Sequence, residues 1–330
     1  STSPWSSPIL MVAKKGTAER RVTVDARLIN GATLEESFDV PDAQQLAQDA
    51  SRFHVSSRID VIKAFWAYLN NPEPAEGQRW STQDLLSMNI PGEGCWAWTR
   101  MIMGSHSSQA LLISDLSNRV LRDQIRGRYE IKNGVSIQVQ APIAYLYCDD
   151  IITGGKDIHE ATKNLHIVLH QLHKHKFFAS WRKSRFLVTQ TEFLGQLLQS
   201  GRRWPSPEKI RAIVEFEMPA TKKELQGFLG MVQYLRDFIP NLSTRSKLLQ
   251  QAARPLAPPP PDCWTPNHTL QFNDIKSALA NAPALYAPNL RGSFIISSDA
   301  STYGGAAILS QFIDGKLVPI EFWSAKWTPA

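Results

Sequence analysis

Short runs of apolar residues, separated by turn-forming residues, predict strands in the first sixty residues. Ile9–Ala13 and the alternating run Arg20–Asp25 flank a basic, glycine-containing turn, which predicts a β-hairpin. The run 53–60 predicts a strand that ends at Asp60, and Val61–Leu69 predicts a helix directly after it. Asp60 is therefore expected at the carboxyl end of a strand, where functional groups are common in α/β sheets.

The middle of the chain combines helical segments with a second hairpin. The periodicity predicts helices over 38–50, Ser107–Arg126 and His159–Lys174. The second of these helices is expected to be capped by the serines at its start. In 143–152, two apolar, β-favouring runs are interrupted by Asp149 and Asp150. This pattern predicts a hairpin with two adjacent carboxylates at its tip.

The rest of the chain begins with strands, continues as helices and ends in a second α/β pattern. A strand pair is predicted over 192–204, and Pro207–Leu249 is helical, with breaks at Pro219 and Pro240. Ala257–Pro261 is a linker candidate because consecutive prolines are stiff and lack backbone donors. One helix and three strands are predicted after it.

Composition narrows the class of protein. A chain of 330 residues with 43% hydrophobic content is expected to form two to four subdomains. The net charge of +6 favours a polyanionic partner, although a merely soluble basic protein has the same charge. Three cysteines without CxxC spacing favour a reducing, intracellular setting over a disulfide framework or structural zinc. We find no apolar run for a membrane span and no secretory signal, and the start at Ser1 suggests a fragment or processed product.

The three aspartates are the strongest chemical candidates. Asp149 and Asp150 at a hairpin tip, met by Asp60 from another strand, would hold two divalent ions, because like charges resist co-ionisation without cations. Ligands that are all oxygen favour Mg²⁺ over zinc, and two such ions suit phosphoryl transfer. The alternative from these residues alone is an ordinary polar turn.

Histidines at helical spacing form a second candidate. His166, His170 and His173, with His175 close by, lie in a segment without supporting acids or cysteines. A zinc site requires a defined ligand set, so a basic helix face beside nucleic acid is the favoured interpretation.

Seven collinear blocks along nearly the whole chain resemble reverse transcriptases of retroviruses and gypsy-type LTR retrotransposons. YLYCDD (145–150) is similar to their Tyr-x-Asp-Asp box. The flanking blocks are SPWSSPILMVAKKG with RRVTVDARLIN (fingers entry), SRIDVIKAFW (first catalytic block), CWAWTRMIMG (before the palm helix), FLGQLLQSG (primer grip), FEMPATKKELQGFLGMVQYLRDFIPNL (thumb) and SSDASTYGGAAILSQ (RNase H opening strands).

The resemblance implies an α+β fold: a right-hand polymerase with fingers, palm and thumb, followed by a partial RNase H-like α/β domain. The implied limits are 1–195 for fingers and palm, 196–256 for the thumb, 257–263 for a Pro-rich linker, and 264–330 for a partial RNase H-like or connection domain. The implied activity is Mg²⁺-dependent DNA synthesis from dNTPs on a primed RNA or DNA template, with two ions and Mn²⁺ as a substitute. A homodimer or heterodimer, and a location in the cytoplasm or a virus-like particle with a nuclear phase, are left open.

The resemblance also assigns site residues. The metal ligands would be Asp60, Asp149, Asp150 and the carbonyl of Val61. The dNTP contacts would be Lys15, Arg21, Val61, Phe65, Met103 and Gly104. The primer and template contacts would be Leu194, Gly195, Gln226, Gly227 and Arg236. Phe65 would exclude a ribose 2′-hydroxyl, with a core aromatic as the alternative. Core packing is equally the alternative for Gln226 and Gly227.

Departures from the family pattern keep a second function open. Met103 stands where retroviral enzymes often carry Gln, Lys63 stands where they carry an acid, and SHSSQALL (105–112) differs from their signature. These changes motivate a retroelement-derived protein that binds nucleic acid or forms particles without polymerising. An RNA polymerase with the same palm is disfavoured by Phe65. Asp299 would be a first RNase H ligand, but Glu321 lies too early for the family's glutamate, so no RNase H activity is expected.

Overall fold

The computed structural model describes residues 3–13, 18, 20–33, 41–62, 64–70, 72–132, 135–258 and 260–327. The strands are β1 (Ile9–Ala13), β2 (Arg20–Val24), β3 (Val55–Asp60), β4 (Ser87–Ile90), β5 (Gly94–Ala97), β6 (Arg128–Lys132), β7 (Val135–Gln140), β8 (Ala144–Tyr147), β9 (Asp150–Gly155), β10 (Arg185–Val188), β11 (Gln190–Phe193), β12 (Gln196–Gln199), β13 (Arg202–Pro205), β14 (Leu285–Tyr286), β15 (Ile295–Ala300), β16 (Gly304–Ile313) and β17 (Lys316–Lys326). The α-helices are α1 (Arg27–Ala32), α2 (Ala43–Ala50), α3 (Thr82–Leu85), α4 (His106–Asp115), α5 (Arg122–Arg126), α6 (Ile158–Lys174), α7 (Pro207–Val214), α8 (Lys222–Tyr234), α9 (Leu242–Arg245), α10 (Lys247–Ala252) and α11 (Pro266–Ala280).

The chain divides into two compact units that interleave along the sequence. The first unit contains Ser1–Asp42, Ser57–Gly154 and Ile158–Leu187, and the second contains Ala43–Ser56, Gly155–Asp157 and Val188–Ala330. The domain limits expected from the sequence remain predictions. Within the described part of the chain, no helix is both long and apolar enough to cross a membrane.

A four-stranded sheet in the order β10-β3-β9-β8 forms the centre of the first unit. Helices pack against it, and in the central strand β9 the successive residues Ile151 and Ile152 are both fully buried. The shared core is formed by Ile59, Leu112, Leu116, Leu146, Ile151, Val168, Leu172 and Phe177, all at most 4% exposed. The predicted hairpin of β1 and β2 is confirmed, with Ile9 opposite Val24 and Ala13 opposite Arg20.

The helix predicted directly after Asp60 is wrong. The Ile62 N–H donates to the Phe178 carbonyl, and Asn70 donates to Thr99, so both ends of the segment pair as extended chain. Among the described residues between them, a single 3₁₀ turn, Ala64–Ala67, is helical. Strand pairing with distant segments therefore overrides the local helical pattern.

The helix predicted over 107–126 is present but interrupted. α4 and α5 are joined by one turn of π-helix, Leu116–Val120, in which the Leu121 N–H donates to the Leu116 carbonyl at 2.9 Å. Ser105 occupies the N-cap position, but its side chain makes no capping hydrogen bond. The extra residue in the turn lets Leu116, Val120 and Leu121 all face the core, where each is at most 1% exposed.

The second unit combines two antiparallel sheets with five helices of the C-terminal half. One sheet has the order β11-β12-β13-β14 and the other β15-β16-β17. The predicted breaks at Pro219 and Pro240 are confirmed, because α7, α8 and α9 are separate helices. One apolar core contains residues from both sides of the Pro-rich segment: Leu225, Phe228, Phe238, Leu249, Phe272, Ile275, Leu279, Leu285 and Phe322. The helix and three strands predicted after Pro261 are confirmed as α11 and β15 to β17.

Candidate active site

A tight hairpin presents the two adjacent carboxylates. β8 and β9 pair from Ala144 opposite Thr153 to Tyr147 opposite Asp150, which leaves Cys148 and Asp149 as a two-residue loop. Cys148 has φ 56°, a left-handed conformation that side chains rarely adopt and that two-residue hairpin loops require. Asp149 is thus exposed at the tip, and Asp150 opens β9. The predicted hairpin with acids at its tip is confirmed.

The third carboxylate comes from the neighbouring strand. The His54 N–H donates to the Gly155 carbonyl at 2.9 Å, so the start of β3 lies beside the end of β9 and the two strands are antiparallel. Asp60 at the end of β3 therefore lies at the same end of the sheet as Asp150. The Arg58 guanidinium, two residues before Asp60, contacts the Asp150 carboxylate at 3.0 Å.

The electrostatics of the sheet end show that the three carboxylates influence one another. Desolvation in the hairpin, together with the negative charges of Asp150 and Asp60, raises the pKa of Asp149 above its usual value. Desolvation, together with the negative charges of Asp149 and Asp150, also raises the pKa of the Cys148 thiol. Lys183 partly offsets this charge, with its Nζ 3.7 Å from Asp60.

Arg58 and Lys183 are site residues that the sequence interpretation missed. The two-residue spacing of Arg58 and Asp60 on one strand predicts a shared face, so this signal was available. Lys183 gives no comparable signal, because its position depends on the return of 178–184 to β3. There Ser184 Oγ accepts a hydrogen bond from the Asp60 N–H at 3.1 Å.

The donor set at this sheet end fits a hard divalent cation. In the described residues, no group of three or more His, Cys, Asp or Glu side chains already has the spacing of a metal site. Asp150 faces Arg58 and Asp60 faces Lys183, so each of these two carboxylates has its own cation. The carboxylates nevertheless supply only oxygen ligands, which suit a hard divalent cation. Such a cation would also neutralise the like charges that raise the pKa of Asp149.

The backbone carbonyl of Val61 lies on the strand edge opposite the segment 178–180. Its antiparallel bridge to Ala179 is flanked by bonds from Ser180 N–H to the Asp60 carbonyl and from Ile62 N–H to the Phe178 carbonyl. In that pattern the carbonyl of Val61 itself points to the opposite edge, away from 178–180.

The turn at Met103 and Gly104 is bound to β2 and to α1. Thr23 Oγ1 donates to the Met103 carbonyl at 3.3 Å, and Asn30 Nδ2 donates to the Gly104 carbonyl at 2.9 Å. Gly104 has φ 103°, which only glycine adopts readily. β2 also carries Arg21, so two of the predicted dNTP-binding segments lie together.

Four residues singled out in the sequence lie wholly or partly outside the described structure. Lys15 and the altered position Lys63 lie outside the described residues. The backbones of Arg21, in β2, and Phe65, in the 3₁₀ turn, are described, but their side chains are not. The roles expected for Lys15, Arg21 and Phe65 remain predictions.

A second tight turn joins β11 and β12. Leu194 and Gly195 both have positive φ, 49° and 64°, as in the turns preferred by two-residue hairpins. Tyr234 donates its hydroxyl to the Leu194 carbonyl at 2.7 Å, and the Ser206 N–H donates to the Gly195 carbonyl at 2.9 Å. The turn is therefore held from the end of α8 and the start of α7.

Helix α8 exposes the predicted nucleic-acid contacts. Its apolar stripe buries Leu225, Phe228 and Val232, as the periodicity predicts, while Gln226 and Gly227 lie on the exposed side. Core packing is therefore excluded as the explanation for this pair. Arg236, just after the helix, is also exposed and lies 3.6 Å from Asp237.

Asp299 is far from these residues in sequence and belongs to a different sheet, β15-β16-β17. It is exposed in β15, opposite Ala306, and its carboxylate accepts a hydrogen bond from the Ala300 N–H at 2.9 Å. Glu321 lies on β17 opposite Leu309.

Two family models match the chain. The model described as "Reverse transcriptase (RNA-dependent DNA polymerase)" matches residues 12–198, more than half of the 330 residues. The model described as "RNase H-like domain found in reverse transcriptase" matches residues 264–330.

Curated proteins and solved structures give the same likeness over nearly the whole chain. A retrovirus-related Pol polyprotein from transposon opus of Drosophila melanogaster is 28% identical over 98% of this chain and 31% of its own length. A Gag-Pol polyprotein of gibbon ape leukemia virus is 27% identical over 99% of this chain and 18% of its own length. A foamy viral protease-reverse transcriptase in complex with dsDNA has a TM-score of 0.81 at 25% identity, covering 99% of this chain and 62% of that one. The same kind of protein in complex with an RNA/DNA hybrid has a TM-score of 0.70 at 25% identity, covering 40% of that chain. The chain thus spans less than a third of the length of these curated relatives.

Proposed function

The chain belongs to the reverse transcriptase family, with a polymerase fold followed by an RNase H-like domain, and we propose from this premise that it is an RNA-directed DNA polymerase. It would extend a primer with dNTPs on RNA or DNA templates. The observation that carries this proposal is the convergence of Asp60, Asp149 and Asp150 at one end of a sheet. The gypsy-type subgroup remains a prediction.

Divalent metal ions are general in this family, and the donor set favours Mg²⁺, with Mn²⁺ as a substitute. Two ions would be held by Asp60, Asp149, Asp150 and the Val61 carbonyl. When bound, such ions lower the pKa of the attacking primer hydroxyl and neutralise the leaving pyrophosphate. Cys148 keeps the carboxylates at the tip through its strained turn, and Arg58 contacts Asp150 by a charge-assisted hydrogen bond that a bound ion would have to compete with.

The nucleotide would lie between the β1–β2 hairpin and the turn at Met103 and Gly104. Lys15 and Arg21 would bind the triphosphate, and Phe65 would exclude a ribose 2′-hydroxyl. The bonds from Thr23 and Asn30 to the Met103–Gly104 turn support a fixed position for this segment relative to β2.

The primer and template would contact the second unit. Leu194 and Gly195 would position the primer end, and Gln226, Gly227 and Arg236 would follow the duplex. The exposure of the α8 residues supports this role, as do the relatives solved with dsDNA and RNA/DNA hybrid. Affinity should fall with salt because phosphate contacts dominate it. Dimerisation, a place in the cytoplasm or a virus-like particle, and a first-ligand role for Asp299 remain predictions.

Primer extension on an RNA template with Mg²⁺ tests the proposal. We expect Asp149→Asn to slow extension by about 10²-fold or more, because it removes an anionic oxygen ligand from the metal ions that would stabilise the transition state. Asp123→Asn, at an exposed carboxylate in α5, is the matched control and should extend as the parent does. Equal rates for Asp149→Asn and the parent would exclude the assigned triad. A parent that binds primer–template tightly yet incorporates no dNTP would instead select the non-polymerising alternative.

A further inference from the structure

A large aromatic side chain is left almost fully open to solvent beside the carboxylate site. Trp181 is 81% exposed, and one face of its ring stacks on Phe186, with centroids 5.2 Å apart and 29° between the planes. Phe178, three residues earlier, is 58% exposed. Burial of these rings contributes little to the fold, since most of their surface stays in water.

The segment that carries Trp181 is anchored at both ends. The Ser184 N–H donates to the Ser180 carbonyl at 2.9 Å and closes the turn 180–184. Before the turn, Ala179 bridges to Val61, and after it Phe186 packs against the core of the first unit. The indole is therefore a positioned platform with one open face, and a ligand that stacks there loses little freedom in the protein.

The surroundings of the platform are strongly basic. Residues 161–191 contain six Lys and Arg, four His and no Asp or Glu. Arg182, Lys183 and Arg185, next to Trp181, are all exposed. Lys183 is also 3.7 Å from Asp60, which is a carboxylate of the candidate site and borders the turn. An exposed aromatic ring set among cations matches the chemistry of a nucleic-acid strand with accessible bases.

We propose that Trp181 binds single-stranded nucleic acid by stacking an unpaired base on its open face, with Arg182 and Arg185 contacting the adjoining phosphates. A duplex is disfavoured, because its bases are stacked on each other and cannot reach the ring. The site lies next to the catalytic carboxylates but is separate from the contacts proposed for dNTPs and for the primer–template duplex. It goes beyond the polymerase proposal, since strand binding at Trp181 needs no chemistry.

The test measures binding of fluorescently labelled (dT)20 to the whole chain, with saturating unlabelled blunt DNA duplex to occupy the duplex site. We expect Trp181→Ala to weaken (dT)20 binding about tenfold, the usual effect of removing one stacking ring. Trp181→Phe should retain most of the affinity because a phenyl ring still stacks. Trp323→Ala is the matched control, because Trp323 is 53% exposed in β17, and it should bind as the parent does.

Two further readouts separate this site from its alternatives. Arg182→Ala should reduce the slope of log K against log salt by about 0.7, the value for one phosphate contact on a single strand. Asp149→Asn should bind (dT)20 normally even though extension fails, so the two proposals fail independently. The proposal is overturned if Trp181→Ala binds (dT)20 as the parent does, or if free dTTP at concentrations near its KM displaces (dT)20, which would assign the ring to the nucleotide.

Discussion

The individual carboxylates of the candidate site differ in the cations that face them. Arg58 contacts Asp150, Lys183 faces Asp60, and Asp149 has the raised pKa. The Arg58 and Asp150 side chains are 38% and 31% exposed, so solvent screens the pair and it contributes little to stability. We therefore expect the Arg58–Asp150 pair to affect the charge balance of the site more than the stability of the fold.

Replacing Arg58 with alanine should change metal dependence more than stability. We expect the free energy of unfolding to change by less than about 1 kcal/mol, as for other exposed pairs. The Mg²⁺ concentration for half-maximal extension should fall several-fold, because a competing cation is removed from Asp150. Urea denaturation and a Mg²⁺ titration of primer extension measure the two effects.

Arg58→Lys is the control for this prediction. It keeps a positive charge near Asp150 but loses the planar guanidinium, so its Mg²⁺ requirement should stay close to that of the parent. An Arg58→Ala protein with an unchanged Mg²⁺ requirement would show that Arg58 does not compete for Asp150.

Among secondary-structure elements, local sequence succeeded where a segment makes its own hydrogen bonds. The hairpins and α6 to α8 follow from turn residues and apolar period, and α8 begins with the capping box of Thr221 and Glu224. The segment after Asp60 failed because its backbone bonds go to 178–180 and 99–101, which no local pattern reveals. The π-helical turn in 116–120 was missed because core packing selects it.

Two glycines in different elements should respond oppositely to alanine. Gly195 has φ 64°, and an added Cβ would lie 3.1 Å from Lys209 Cε, so Gly195→Ala should destabilise the protein by about 1 kcal/mol or more. Gly227 is helical with nothing within 4 Å of its Cβ position, so Gly227→Ala should stabilise by about 0.5–1 kcal/mol. Urea denaturation of both variants measures the change in the free energy of unfolding, which should be opposite in sign for the two.

The same Gly227 variant tests the role of α8 in duplex binding. A helix face that approaches a nucleic-acid backbone at glycine should lose affinity when a methyl group is added. Gly227→Ala is therefore expected to bind primer–template more weakly although it is more stable. Gly230→Ala, also helical and open, is the control. Equal duplex affinity for both variants and the parent would remove Gly227 from the proposed contacts.

At the scale of the whole molecule, a buried arginine joins distant parts of the second unit. Arg203 is fully buried and contacts Gln196 at 3.2 Å, Asp237 at 3.3 Å and the Ile320 carbonyl at 3.5 Å. These partners belong to β12, to the 3₁₀ turn after α8, and to β17. Burial lowers the pKa of Arg203, and Asp237 opposes this effect. The strands after the Pro-rich segment and the turn at Gly195 are thus coupled through one charge network.

Arg203→Ala should destabilise the protein by about 3–5 kcal/mol, because it removes the buried cation that faces Asp237 and leaves that carboxylate only the exposed Arg236 at 3.6 Å. The double variant Arg203→Met with Asp237→Leu should recover most of that loss, since it removes both charges and keeps the volume. Arg202→Ala, at the neighbouring arginine that packs over Trp204 at 5.5 Å, is the control and should cost about 1 kcal/mol or less. Calorimetry or urea denaturation measures these stability changes. If the stability loss of the double variant equals the sum of the losses of the two single variants, the coupling between Arg203 and Asp237 is ruled out.

The sequence by itself determined the acidic hairpin tip, the strand that ends at Asp60, the helices with their own caps, and the family that these blocks resemble. Each is encoded within a few residues, by turn chemistry, apolar period or motif spacing. Tertiary structure alone decided which cations face the carboxylates, the pairing of the segment after Asp60 and the buried charge network at Arg203. These depend on contacts between residues more than a hundred positions apart in several cases, where local sequence has no means of specifying the partner.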